Sequence, residues 1–102
     1  MLQIIDGKRY NTETAEHLAE ARGGGGCSDF HHWEEELYRT PKGVYFLAGS
    51  GGPMTSWSRR TADNMTAGGE GIRVLTEAEA REWVERYAND EYERIFGAAE
   101  EA

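Results

Sequence analysis

The side chains with chemical potential gather in the first half of the chain. His31-His32 lie just ahead of Glu34-Glu35-Glu36, and Cys27 stands close before the histidines, a set that invites a metal or acid–base reading. Adjacent histidines point to opposite faces of a strand and diverge by about 100° on a helix, so this pair cannot share one ion without His17 or a distant carboxylate. A Cys–His nucleophile needs an activated thiolate and an oxyanion hole, and nothing around Cys27 marks either. Ser50, Ser56 and Ser58 lack the Gly-x-Ser-x-Gly elbow. The glycine run Gly23 to Gly26 lacks the Lys-Ser/Thr that completes a phosphate loop. Arg59-Arg60 beside Trp57 form the one basic-aromatic patch, too small to hold nucleic acid against the overall charge. The residue types therefore point to no catalytic residue, no cofactor and no metal ligand set. A small metal-dependent or Cys/His enzyme built on His31, His32 or Cys27 remains the alternative.

Charge is more informative. The 102 residues carry 19 acidic and 11 basic side chains, a formal net charge of −8. Phosphate-backbone binding needs clustered Lys and Arg, so direct nucleic-acid binding is excluded and a basic protein surface is favoured as partner. Residues 76–102 hold nine acidic and three basic side chains, leaving only −2 for the first 75 residues. One reading is a helix face made soluble by glutamates. The other is an anionic surface shaped for a basic groove, with carboxylates standing where phosphates would lie and opposite fields steering the encounter. The residues that carry this second reading are Glu77, Glu82, Glu85, Asp90, Glu91 and Glu93.

These residues need a scaffold, and the pattern predicts one α+β domain over residues 1–97 with a flexible tail at 98–102. Leu2 to Tyr10 reads as a hairpin turning at Asp6-Gly7. Asn11, Thr12 or Thr14 caps an expected helix over 12–22, with Ala15, Leu18 and Ala19 at helical spacing. Leu37 to Thr40 and Val44 to Ala48 form a hairpin around Pro41-Lys42-Gly43, stopped by Gly49 to Pro53. Residues 54–71 read as loop with one helical turn, and Ile72 to Leu75 as a strand. Thr76-Glu77-Ala78-Glu79 is a capping box opening a helix over 76–88, with Leu75 stapled to Ala80. Ala80, Trp83, Val84, Tyr87 and Ala88 make its inward stripe, and Tyr92, Ile95 and Phe96 continue the pattern after a break near Asn89-Asp90. A small antiparallel sheet packed by two main helices follows, with Trp33, Phe46, Leu47, Trp83, Val84 and Tyr87 meeting in the core. The lone cysteine suits a reducing cytoplasm, and no stretch approaches the roughly 18 apolar residues of a membrane span.

Ile4-Ile5-Asp6-Gly7-Lys8-Arg9-Tyr10-Asn11-Thr12-Glu13-Thr14-Ala15, Leu37-Tyr38-Arg39-Thr40 with Gly43, Phe46 and Gly49, Gly51-Gly52-Pro53-Met54-Thr55, and Leu75 to Trp83 resemble small bacterial and mobile-element proteins of about this length. By size, acidity and lack of catalytic signature the chain also resembles anti-CRISPR proteins, inhibitors that bind a Cas protein at its nucleic-acid-binding surface. That resemblance implies a non-catalytic, DNA-mimicking inhibitor in the cytoplasm of a bacterial host, with a Cas effector subunit as partner. The chain is then a monomer or weak homodimer without a membrane partner. A self-associating regulatory protein of a mobile element, contacting its copy through Trp57 and exposed aromatic residues, is the third reading.

Overall fold

The computed structural model describes residues 1–25, 30–61 and 65–102. Two strands open the chain, β1 (Leu2–Ile5) and β2 (Lys8–Asn11), paired antiparallel. Asp6 and Gly7 between them take positive φ, 51° and 74°, as a primed two-residue turn demands. The main sheet follows from β3 (Glu16–Gly23), β4 (Trp33–Arg39), β5 (Tyr45–Gly51) and β8 (Gly69–Leu75), in the order β3-β4-β5-β8 with every neighbour antiparallel. A small ribbon of β6 (Arg59–Arg60) and β7 (Thr66–Ala67) lies between β5 and β8 in the chain. Helix α1 (Glu77–Tyr87), a 3₁₀ turn (Asn89–Glu91) and helix α2 (Tyr92–Phe96) complete the chain. The architecture is α+β, a mostly antiparallel sheet with two helices.

Both hairpins stand where the sequence places them, as do the capping box and the break after α1. Thr76 Oγ1 accepts from the Glu79 amide at 3.1 Å, and Glu79 Oε1 accepts from the Thr76 amide at 2.8 Å. The helix expected over 12–22 is absent, and β3 occupies that segment. Asn11 does supply capping chemistry, its Oδ1 accepting from the Glu13 amide and its carbonyl from the Ala15 amide, but the turn ends there. The sequence Ala19-Glu20-Ala21-Arg22-Gly23 alternates as well as it spirals. Pairing with β4 gives this segment a backbone ladder along one side, interrupted only between His17 and Ala19, and that tertiary gain outweighs the helical preference of alanine and glutamate. Gly49 does not stop β5, which runs on to Gly51, and β8 begins three residues earlier than its apolar run.

Side chains alternate across the sheet, so there are two cores rather than one. The helix-covered face holds Leu18, Leu37, Leu47, Ala80, Trp83, Val84 and Ile95. The other face holds Tyr38, Phe46, Ala48 and Ile72 under Tyr10 of the N-terminal hairpin. Phe46 therefore lies across the sheet from Trp83, in a separate cluster, stacked on Tyr38 at 5.3 Å and met edge-on by Tyr10 at 5.6 Å. Trp33 is half-buried, and Tyr87, at the end of α1, is 40% exposed against the Trp33 ring.

One carboxylate organises the helix-covered face. Glu35, at the middle of β4, accepts from Trp57 Nε1 through Oε2 at 2.7 Å and from Trp83 Nε1 through Oε1 at 2.8 Å. Its neighbour across the register is Gly49, where an added Cβ would sit 2.2 Å from the Trp57 ring. Absence of a side chain there is what lets the indole lie on the strand. Arg73 closes over the outer side of Trp57, 4.2 Å from its centroid. Replacing Glu35 by Gln turns one acceptor into a donor facing an indole N–H. Urea unfolding followed by tryptophan emission should show a loss of about 1–3 kcal/mol, and a larger loss in Glu35→Ala, where both indoles go unpaired. Trp83→Ala should cost about 3–5 kcal/mol, a large part of the stability of such a domain. Unchanged midpoints in the Glu35 variants would mean that the indoles are held by packing alone.

Candidate functional site

Of the acidic residues of the C-terminal quarter, Glu77, Glu79, Glu82 and Glu85 sit on α1, whose inner side is pinned by Ala80, Trp83 and Val84, while Asp90 and Glu91 lie on the 3₁₀ turn and Glu93 on α2. Glu77 is tied to Arg81 at 3.0 Å, and Glu91 is half-buried and ion-paired with Arg94. Glu93 accepts from the Ala99 amide at 2.8 Å, which folds the last residues back along α2. Glu82, Glu85 and Asp90 are exposed and their carboxylates make no ion pair among the described residues. Glu85, Asn89, Tyr92, Glu93, Glu100 and Glu101 line an open groove of about 580 Å³.

A second acidic surface comes from strand pairing. The N-terminal hairpin covers only one end of the sheet's outer face. At the other end the register sets Arg22, Glu34, Ser50 and Glu70 in one row and Glu20 opposite Glu36 in the next. Together these residues line an open groove of about 610 Å³. Beside it, the ladder is irregular between His17 and Ala19, and this bulge brings His17 onto the face of Glu20, opposite Tyr38. His17 Nε2 lies 3.6 Å from Glu36 Oε1, while the Tyr38 hydroxyl donates to Glu36 Oε2 at 3.2 Å. Burial first, and then the Glu36 carboxylate, pushes the Tyr38 phenol above its ordinary value.

The histidines singled out by sequence do not join this cluster. His17 and His32 stand at opposite ends of the β3–β4 ladder, six residues along β4, about 20 Å apart at strand rise. His31 is exposed. The half-buried His32 ring places Nδ1 2.8 Å from the Gly25 carbonyl, so Nδ1–H is the donor, and its Nε2 lies 3.7 Å from Glu34. Cys27 lies outside the described residues. Trp57 is 8% exposed and stacked by Arg73, so it offers neither a basic-aromatic patch with Arg59-Arg60 nor a contact to a second copy.

Glu20, Glu70 and the placing of His17 beside Glu36 are what sequence reasoning missed. The signal was the alternation in Ala19-Glu20-Ala21-Arg22, visible only once residues 16–23 are read as a strand. No protein family, curated protein or solved structure matches the chain. Among the described residues no helix is long and apolar enough to cross a membrane.

Like charges directly across an antiparallel pair oppose folding. Glu20→Gln should therefore raise the unfolding free energy by about 0.2–1 kcal/mol at low ionic strength. The gain should shrink in 0.5 M NaCl, where the screening length falls to a few ångström. A neutral or destabilising result at low salt would show that the two carboxylates do not strain the sheet.

Proposed function

We propose that the chain is a non-catalytic acidic binding protein whose α1–α2 surface occupies a basic, nucleic-acid-binding surface of a partner. Its resemblance in type to anti-CRISPR proteins makes a Cas effector subunit the partner to test. The observation that carries this reading is the set Glu82, Glu85 and Asp90, exposed and without ion pairs among the described residues, the first two on α1, which is anchored through its other face, and the third on the 3₁₀ turn that follows it. Carboxylates in such a row are not neutralised at home, so their field is directed outward. Glu82 and Glu85 are separated by about 4.5 Å of helix axis, comparable with the roughly 3.4 Å of axis between phosphates of one DNA strand. The groove containing Glu85, Glu93, Glu100 and Glu101 extends the anionic area beyond the helix end.

The reading predicts that the protein competes with target DNA for the effector, most strongly at low salt. Electrophoretic mobility titrations of an effector on its target, with and without the full chain, check this. Charge reversal at Glu82, Glu85 and Glu93 to Lys should abolish the competition. Reversal at Glu34 and Glu70, on the opposite side of the sheet, should leave it in place. Unchanged DNA binding at low salt, or inhibition that survives the helix reversals, would overturn the proposal.

A further inference from the structure

We propose that His17, Glu20 and Glu36 form a binding site for one divalent transition-metal ion of the Zn²⁺ type on the open face of the sheet. One ligand atom from each side chain lies within 4.8 Å of the others. The His17 Nε2 to Glu36 Oε1 distance of 3.6 Å is close to the roughly 3.4 Å between two ligands that each lie about 2.1 Å from a tetrahedral ion. Small rotations of exposed side chains bring the third donor in. Two features beyond proximity support the site. The bulge at Leu18 is what turns His17 to the face of Glu20; a regular strand would send residues 17 and 20 to opposite faces. Glu20 and Glu36 also face each other directly with no lysine or arginine paired to either among the described residues, so a dication would replace a repulsion by two attractions.

The donor set selects the ion. One imidazole with two carboxylates suits Zn²⁺, Mn²⁺ or Ni²⁺ better than Ca²⁺ or Mg²⁺, which take mainly oxygen ligands in larger number. Three protein donors on an exposed surface leave the remaining positions to water or to a donor from a partner. The adjoining groove, with Glu34 and Glu70, raises the local cation concentration. The site stands apart from the α1–α2 surface and does not rest on the reading proposed for it.

The test uses the full chain in a Cys27→Ser background, stripped with EDTA and titrated with ZnCl₂ while long-range ¹H–¹⁵N spectra follow the three imidazoles. The His17 resonances should move to saturation at one equivalent, with His31 and His32 unmoved, and the thermal midpoint should rise with ZnCl₂. Glu36→Gln should weaken binding about tenfold or more, since removal of even an outer partner of a metal ligand costs about 10–100-fold. His17→Ala combined with Glu36→Gln should abolish it. Far-UV circular dichroism of the metal-free variants separates lost ligands from lost fold, and Glu20→Gln, at an exposed edge position, gives an independent ligand deletion. A His17 signal unmoved at ten equivalents would overturn the site. So would saturation that moves His31 or His32 instead, or undiminished affinity in the double variant.

Discussion

A carboxylate held beneath two indoles is an unusual centrepiece for so small a domain, and much of the architecture answers to it. Glu35 points from the central strand into the helix-covered core, where a carboxylate without donors would be costly. Trp57 and Trp83 supply those donors from opposite directions, one from the segment after β5 and one from α1. Each indole in turn needs an acceptor when it is buried. The arrangement therefore satisfies three polar groups at once, and none of the three can be removed without stranding another. It also imposes a condition on β5, because the Trp57 ring occupies the space that a side chain at Gly49 would need. The glycines of Gly49-Ser50-Gly51 thus serve the packing of a strand rather than its termination.

The same interaction closes the sheet to the helix. α1 has one turn of capping chemistry and one inward stripe, and an isolated helix of this length is marginal in water. Trp83 joins it by a hydrogen bond to β4, two strands across the sheet from β8, which leads into the helix. At the other end of the sheet, Arg94 of α2 donates to the Leu18 carbonyl at the bulge of the edge strand. The bulge that frees this carbonyl also turns His17 outward. Opposite β8, Gln3 of the N-terminal hairpin accepts from the Ile72 amide at 3.1 Å. Both edges of the sheet are thereby partly occupied by the chain's own side chains, a common way of discouraging strand addition.

Local signals were legible where local chemistry decides the outcome. Asp6-Gly7, Pro41-Lys42-Gly43 and Thr76-x-x-Glu79 each specify a turn or cap within a few residues, and the structure follows them. Residues 12–22 were not legible, because Ala15, Leu18 and Ala19 fit a helical stripe while the decisive partner, β4, lies more than ten residues away. The split core was hidden for a related reason: Phe46 and Leu47 are adjacent apolar residues, and only their place in a two-sided sheet sends them to different clusters. On the candidate site, the helix carboxylates could be named from sequence, since capping and periodicity set their outward face. The sheet carboxylates could not, because their proximity is a matter of register.

Glu34-Glu35-Glu36 condenses these constraints into three identical residues. As a charge run they suggest only a solvated stretch. As successive positions of β4 they divide, since strand geometry sends Glu35 to one face and its neighbours to the other. Glu35 meets two donors and becomes the anchor of the helix; Glu36 meets Glu20 and His17, and Glu34 borders the groove that ends at Glu70. The acidity of the molecule therefore has two surfaces with different origins. On α1 it is set by helical periodicity and projects from a face fixed through Trp83. On the sheet it is set by antiparallel register, where carboxylates are brought closer than their charge favours. Because both surfaces are carried by elements that converge on Glu35, the chain holds its negative charge in fixed positions, as a surface that recognises cations or cationic partners by shape requires.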